Sequence, residues 1–230
     1  LSDDVWVVAP AQDNSGASHS LTLHEPLRHS QHGEQKFSIH GTPTDCVIMG
    51  VRKFLGDTPP DLVLSGINHG QNIADDVTYS GTIAGAFEGA ILGIPSIALS
   101  LATGIKTPNS VHWDTPKEHA VSLITQLLDG GIDADIPLNI NFPDCGPSDV
   151  KGKLITVQGK RDPGLLRIDT RQDPRGRDYF WFDFERRLSK PAKGTDLWAV
   201  YNDYISITPL HLNMTHHESC HALAQKFNDI

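Results

Sequence analysis

The 230-residue chain is 38% hydrophobic and carries a formal net charge of -9, enough apolar content for one sizeable core with a smaller appended lobe. The acidic balance excludes a groove for polymeric nucleic acid, which calls for clustered Lys and Arg, and no apolar run approaches the ~20 residues of a membrane span. The three cysteines, Cys46, Cys145 and Cys220, are odd in number and widely spaced, so a reducing cytoplasm is expected, without a disulfide framework or a zinc ribbon.

The chain opens with LSDD and enters a run, VWVVAP, that reads as a buried parallel strand over residues 5–9. No basic start or apolar h-region marks a signal peptide. Residues 11–20, AQDNSGASHS, form a polar loop, and residues 21–27 and 36–39 are short extended candidates. In GTPTDCVIMGVRKFL, Thr42 suits an N-cap, Pro43 the first helical position and Asp45 the third. Val47, Ile48, Val51, Phe54 and Leu55 follow at helical spacing, with Arg52 and Lys53 on a solvated face.

Residues 61–65 make the next strand, which breaks at Gly66 into GINHGQN. A second helix is expected over residues 80–92, with an apolar stripe of Ile83, Phe87, Ala90 and Ile91. Gly81, Gly85, Gly89 and Gly93 recur on it every fourth residue. Each interior glycine costs about 1 kcal/mol of helix propensity, so a smooth face for close packing is implied. Residues 96–101 form a strand, and the capping-box pattern Thr115–Glu118 opens a third helix that ends near Gly130 and Gly131. Residues 138–142 form another strand. Strands alternating with helices specify an α/β, doubly wound, mostly parallel sheet.

After Pro143 the pattern changes. KLITVQ and DYFWFDF are strands without intervening helices, and DPRG between them is a turn. This reads as a C-terminal antiparallel β-hairpin extension, whose Phe180, Trp181 and Phe182 pack the extension or an oligomer contact. YISITPL returns as a strand, and residues 218–227 form a terminal helix.

Open parallel sheets bind ligands beyond the carboxyl ends of their strands. Three segments qualify: the loop bearing Ser15, the loop bearing Asn68, and the start of the helix at Ser80 and Thr82. Ser15 and Asn68 are neutral oxygen donors, suited to hard cations. The helix start is an anion cradle, and Thr42 at the earlier capped helix is a further candidate. A hard cation beside a helix N-terminus fits phosphate-ester hydrolysis, but one hydroxyl and one amide do not hold a dication without carboxylates.

Taken together, VVAPAQDNSGASHSLT, GTPTDCV, DLVLSGINHGQN, SGTIAGAFEG and GTDLWAVYNDYISITPL resemble the SurE family of metal-dependent 5'-nucleotidases, in order and over nearly the whole chain. The resemblance implies a Rossmann-like core and one divalent cation (Mg, Mn or Ca) per subunit. It implies hydrolysis of nucleoside monophosphates, with 3' esters and short polyphosphate as further substrates. It also implies a homodimer or homotetramer built through the C-terminal extension. By motif position the metal ligands fall on Ser15 and Asn68, and the phosphate-binding residues on Ser80, Gly81 and Thr82.

The family's opening strand, which ends in an Asn-Asp-Asp-Gly motif with two metal-ligating aspartates, has no counterpart in these residues. The catalytic aspartates are therefore expected upstream of Leu1, on a strand, turn and helix of about 20–30 residues. Asp3 and Asp4 lie at the amino end of their strand, roughly 16 Å from its carboxyl end, too far to replace them. The chain is read as a single domain: a core over 1–145 short of its first strand, the extension over 146–204, and a strand and helix over 205–230. An alternative reading is a non-catalytic nucleotide-binding or assembly module.

Other features are read as structural. Gly66, Gly70, Gly81 and Gly85 serve backbone geometry, and His69 is a bystander. Asp75 and Asp76 belong to a solvated loop or charge the start of the next helix. The fragment HESCH, His217 to His221, has zinc-peptidase letters. It lies too near the C-terminus for a third ligand and is set aside.

Overall fold

The computed structural model describes residues 1–105, 110–162, 164, 166–184 and 189–227. The expected domain divisions run across undescribed residues 106–109, 163, 165, 185–188 and 228–230, which lie outside the description.

The strands form two core sheets and a separate hairpin. In the first sheet β1 (Val7–Pro10) pairs in parallel with β3 (Lys36–Ile39), and β2 (His29–Gly33) pairs antiparallel to β3. The strand expected as buried is instead an edge: Val5 is 53% and Val7 43% exposed, because β1 has a partner on one side only. β2 (HSQHG) is wholly exposed and polar, so no hydropathy pattern marks it; it forms because β3 offers it an open edge. Residues 21–27 are not a strand.

The expected capping box forms. Thr42 accepts from the Asp45 N–H while the Asp45 carboxylate accepts from the Thr42 N–H, opening α1 (Pro43–Met49), which continues as wide π-type turns to Leu55. Asp45 also accepts the backbone N–H and hydroxyl of Thr22, pinning the stretch that had been read as extended.

The second sheet has the order β4-β5-β6-β10-β7. β4 (Val63–His69), β5 (Ser96–Leu101) and β6 (Leu138–Phe142) are parallel; β10 (Tyr204–Pro209) runs antiparallel to β6, and β7 (Gly152–Ile155) is parallel to β10. KLITVQ therefore extends the core sheet and does not join the hairpin. Buried hydroxyls fasten it there: Thr156 Oγ1 lies 2.8 Å from Ser206 Oγ and 2.7 Å from Thr208 Oγ1. The hairpin instead pairs β8 (Leu166–Gln172) with β9 (Asp178–Phe184) across the DPRG turn.

Helices cover both faces of the second sheet. Along β5, Ile97, Leu99 and Leu101 share a core cluster with Leu123 and Ile124 of α3 (Asp114–Gly130). Ala98, on the opposite face, clusters with Ile83 and Ala86 of α2 (Gly81–Ile91). This two-sided alternation is the doubly wound arrangement. The glycine face of α2 makes the close approach expected of it. A Cβ on Gly85 would stand 2.6 Å from Ser65 Oγ, and one on Gly81 would stand 2.9 Å from Pro43 Cγ. Gly93 differs, with φ +75° and open space around it, and closes the helix. Ile91 is 56% exposed, so it leaves the apolar stripe.

Two helix starts depart from expectation. α3 begins at Asp114, and Thr115 does not cap it; its hydroxyl is buried, must be bonded, and donates to the Cys145 carbonyl at 2.5 Å. GTDLWAVY holds a short helix, α4 (Asp196–Tyr201), capped by Thr195. α5 (His217–Phe227) closes the chain and buries none of its side chains, so His217 and His221 sit on an exposed helix.

Candidate active site

An open cleft of about 1470 Å³ separates the two sheets, running between β1 and β4 with α1 and the start of α2 along its side. Ser15, Asn68, Ser80, Gly81 and Thr82 all line it.

Asn68 is not in a loop. β4 continues through His69, and one extra residue between Ser65 and Asn68 bulges the strand against β5 before Asn68 pairs with Ser100. Gly66 makes the bulge possible: its φ is +117°, and a Cβ there would strike the Leu99 carbonyl. The bulge re-aims the strand, placing Asn68 on the cleft. Asn68 Nδ2 donates to the Gly70 carbonyl at 2.9 Å, which fixes the amide and leaves Oδ1 as its remaining acceptor.

Behind Asn68 the chain is clamped by buried amides. The Asn72 N–H donates to Asn141 Oδ1 at 2.8 Å and Asn72 Nδ2 donates to Ser100 Oγ at 2.7 Å. The Asn72 carbonyl accepts from Asn139 Nδ2 at 2.7 Å and Asn141 Nδ2 at 3.2 Å. Sequence reasoning left Asn72 unassigned. The signal lay elsewhere, in LNINF, where asparagine takes alternate positions of an otherwise apolar strand.

The loop after β1 is held over the start of α2. Ser18 N–H donates to the Tyr79 carbonyl and Ser18 Oγ to the Thr78 carbonyl, at 3.0 and 2.7 Å. His19 Nε2 lies 3.0 Å from the carboxylate of Glu88, a buried residue of α2. Ser15 Oγ and the Ser15 N–H both meet Asp13 Oδ1, at 2.7 and 2.8 Å, and these bonds hold the exposed Asp13 carboxyl below its ordinary range.

The buried Ser80 caps α2 by accepting the Ile83 N–H at 3.1 Å. The N–H groups of Gly81 and Thr82 belong to a first turn that has no intrahelical acceptors for them, and they carry the positive end of the helix dipole. Thr42 is not brought to this cradle. Its hydroxyl donates to the Ser20 carbonyl and accepts the Asp45 N–H, and it borders a separate recess with Glu25, Arg28 and His40.

Asp75 and Asp76 are not simply solvated. The Arg161 N–H donates to Asp75 Oδ2 at 2.7 Å, and Arg161 Nη1 meets Asp76 Oδ1 at 2.6 Å. Burial raises the Asp76 carboxyl, and Arg161 opposes that rise. Arg161 lines the cleft and was missed in the sequence, where a lone arginine in QGKRDPG carries no pattern. His69 does not line the cleft; its ring lies 6.1 Å from that of Trp113.

The donors Ser15 Oγ, Asn68 Oδ1 and the Asp13 carboxylate are oxygens, the kind a hard cation takes. Among the described residues no group of three His, Cys, Asp or Glu is placed to hold a metal ion. The residues present fit such a cation in kind and need further carboxylates to complete its shell.

The family profile of Survival protein SurE matches residues 1–164. The 5'-nucleotidase SurE of Methylobacterium radiotolerans is 53% identical over 227 residues, covering 99% of this chain and 89% of that protein. The 5'-nucleotidase SurE of Rhodopseudomonas palustris is 54% identical over 217 residues, covering 94% and 85%. The crystal structure of the SurE protein from Aquifex aeolicus superposes with a TM-score of 0.82 at 40% identity, over 95% of this chain and 87% of that one. The chain thus belongs to the SurE family, with the Rossmann-like α/β core that its alternating strands and helices indicate.

Proposed function

We propose that this chain is a divalent-metal-dependent phosphomonoesterase that cleaves nucleoside monophosphates into nucleoside and phosphate, a 5'-nucleotidase like the relatives named above. The observation that carries the reading is the convergence of Ser15, Asn68 and the Ser80–Thr82 helix start on one cleft from three separate segments. The phosphate group sits at the start of α2, where the Gly81 and Thr82 N–H groups and the Ser80 and Thr82 hydroxyls donate to its oxygens. The bond from Asn68 Nδ2 to the Gly70 carbonyl orients Asn68 Oδ1 on the same cleft.

A divalent cation on Ser15 and Asn68 would supply charge stabilisation and an activated water. Asp13, whose carboxylate holds Ser15, adds an anionic oxygen beside them, and further carboxylates would complete the shell. The cradle grips a terminal phosphate and not the carbon that bears it, so 3' esters and short polyphosphates come within the same chemistry. The exposed Ile168, Phe180, Trp181 and Phe182 of the hairpin fit a homodimer or homotetramer contact, and the thiols of Cys46, Cys145 and Cys220 fit a cytoplasmic setting.

The test is phosphate release from AMP with added Mn²⁺ or Mg²⁺, and again with EDTA. EDTA-sensitive release is expected. Release indifferent to EDTA overturns the mechanism. Nucleotide binding without release favours the binding-module reading.

A further inference from the structure

We propose that Tyr79 is the platform on which the substrate's nucleobase stacks, and that Arg161 holds its ring in place. The inference rests on the nucleotide reading above and extends it from the phosphate to the base. Tyr79 directly precedes Ser80, the cap of the phosphate cradle, and lines the cleft with it. Its backbone is fixed, since its carbonyl accepts the Ser18 N–H at 3.0 Å and it ends the tight turn Ala74–Tyr79. Yet its side chain stays half open to the cleft: Tyr79 is 54% exposed.

A large ring left open beside a polar cradle calls for an occupant, and the cation on it restricts which. The guanidinium carbon of Arg161 lies over the ring at 5.8 Å from its centroid. Arg161 is held there, because its Nη1 is bonded to Asp76 and its backbone N–H to Asp75. Its guanidinium is thereby paired with the Asp76 carboxylate, so its contribution is to orient the ring and not to attract a second phosphate. An oriented, half-exposed aromatic face next to a phosphate cradle suits the flat, uncharged end of a nucleoside monophosphate. Every base has a π face, so such a platform is tolerant of base identity and ranks bases by stacking area, purine above pyrimidine. Phe182 also lines the cleft.

The experiment is calorimetric titration of the protein, with Mn²⁺ present, by AMP, UMP, ribose 5-phosphate and inorganic phosphate, for the parent, Tyr79→Ala and Tyr79→Phe. The parent is expected to bind AMP more tightly than UMP, and UMP more tightly than ribose 5-phosphate. Tyr79→Ala should weaken AMP about 5- to 100-fold and leave ribose 5-phosphate and phosphate unchanged, while Tyr79→Phe should retain AMP. Arg161→Gln should lower the preference for AMP over ribose 5-phosphate by a smaller factor. Equal weakening of AMP and ribose 5-phosphate in Tyr79→Ala overturns the platform, as does unchanged AMP affinity. A parent that binds ribose 5-phosphate as well as AMP overturns the platform and leaves the phosphatase reading standing. A parent that binds neither overturns both.

Discussion

Gly85→Ala tests whether the glycine face of α2 exists for close packing. At an open helical position the change would raise stability by up to about 1 kcal/mol, because alanine restricts the unfolded chain and favours helix. Here the new methyl would stand 2.6 Å from Ser65 Oγ and 3.2 Å from Ser65 Cβ, with Val47 Cγ2 at 3.7 Å. Overfilling a packed contact costs about 1–3 kcal/mol. The packing penalty outweighs the gain, and a net loss of up to about 2 kcal/mol is expected. For a chain of this size that lowers Tm by up to about 8 °C. The assay is urea unfolding followed by far-ultraviolet circular dichroism, read as a shift in midpoint at constant slope. Ser65→Ala removes the Oγ and leaves only the 3.2 Å approach, so the double mutant should recover most of the loss, a coupling of about 1 kcal/mol. Gly130→Ala is the control: nothing lies within 4 Å of its Cβ position at the end of α3, and it should be neutral or stabilising. A midpoint that rises in Gly85→Ala as it does in Gly130→Ala, or no rescue by Ser65→Ala, refutes the reasoning.

Asn141→Ala strips the Asn72 N–H of its buried acceptor and the Asn72 carbonyl of one donor; a loss of about 2–4 kcal/mol is expected, and unchanged unfolding would show that the amides are ornamental. Burial pushes the Asp45 carboxyl up, but its hydrogen bonds from Thr22 and Thr42 outweigh that and hold it below the usual range. The native pKa is the lower one, so the stabilisation is present above about pH 4 and fades as pH falls through the native value. Asp45→Asn should cost about 2 kcal/mol at pH 7, and the gap from the parent should narrow towards pH 3; a gap that stays constant with pH contradicts this. Ser80→Ala removes the cap of α2, which should cost about 1 kcal/mol, and should weaken phosphate binding as well; a variant that keeps full phosphate affinity removes Ser80 from the cradle. Burial pushes the Cys46 thiol up to about 12, with Asp45 adding to the rise, and Cys145 is buried too. The native protein should therefore take one thiol label, on Cys220, by intact mass, and all three only when unfolded.

The sequence by itself determined what depends on neighbours in the chain. The Thr42–Asp45 capping box, the start of α2 at Ser80, the buried strands 96–101 and 138–142 and the DPRG turn all rest on local spacing, and local spacing is visible in one dimension. The family motifs also put Ser15, Asn68 and Ser80 forward before any fold was known. What depends on burial at long range was not legible. The β4 bulge that aims Asn68 requires glycine at position 66, because the Leu99 carbonyl leaves no room for a Cβ there, a contact across two strands. Thr115 abandons its cap for a carbonyl thirty residues away, and KLITVQ joins the core because β10 has an open edge beside it. Tertiary structure alone settled these, since an unpaired buried polar group or an open strand edge takes whatever partner the fold brings near, and no local pattern names that partner.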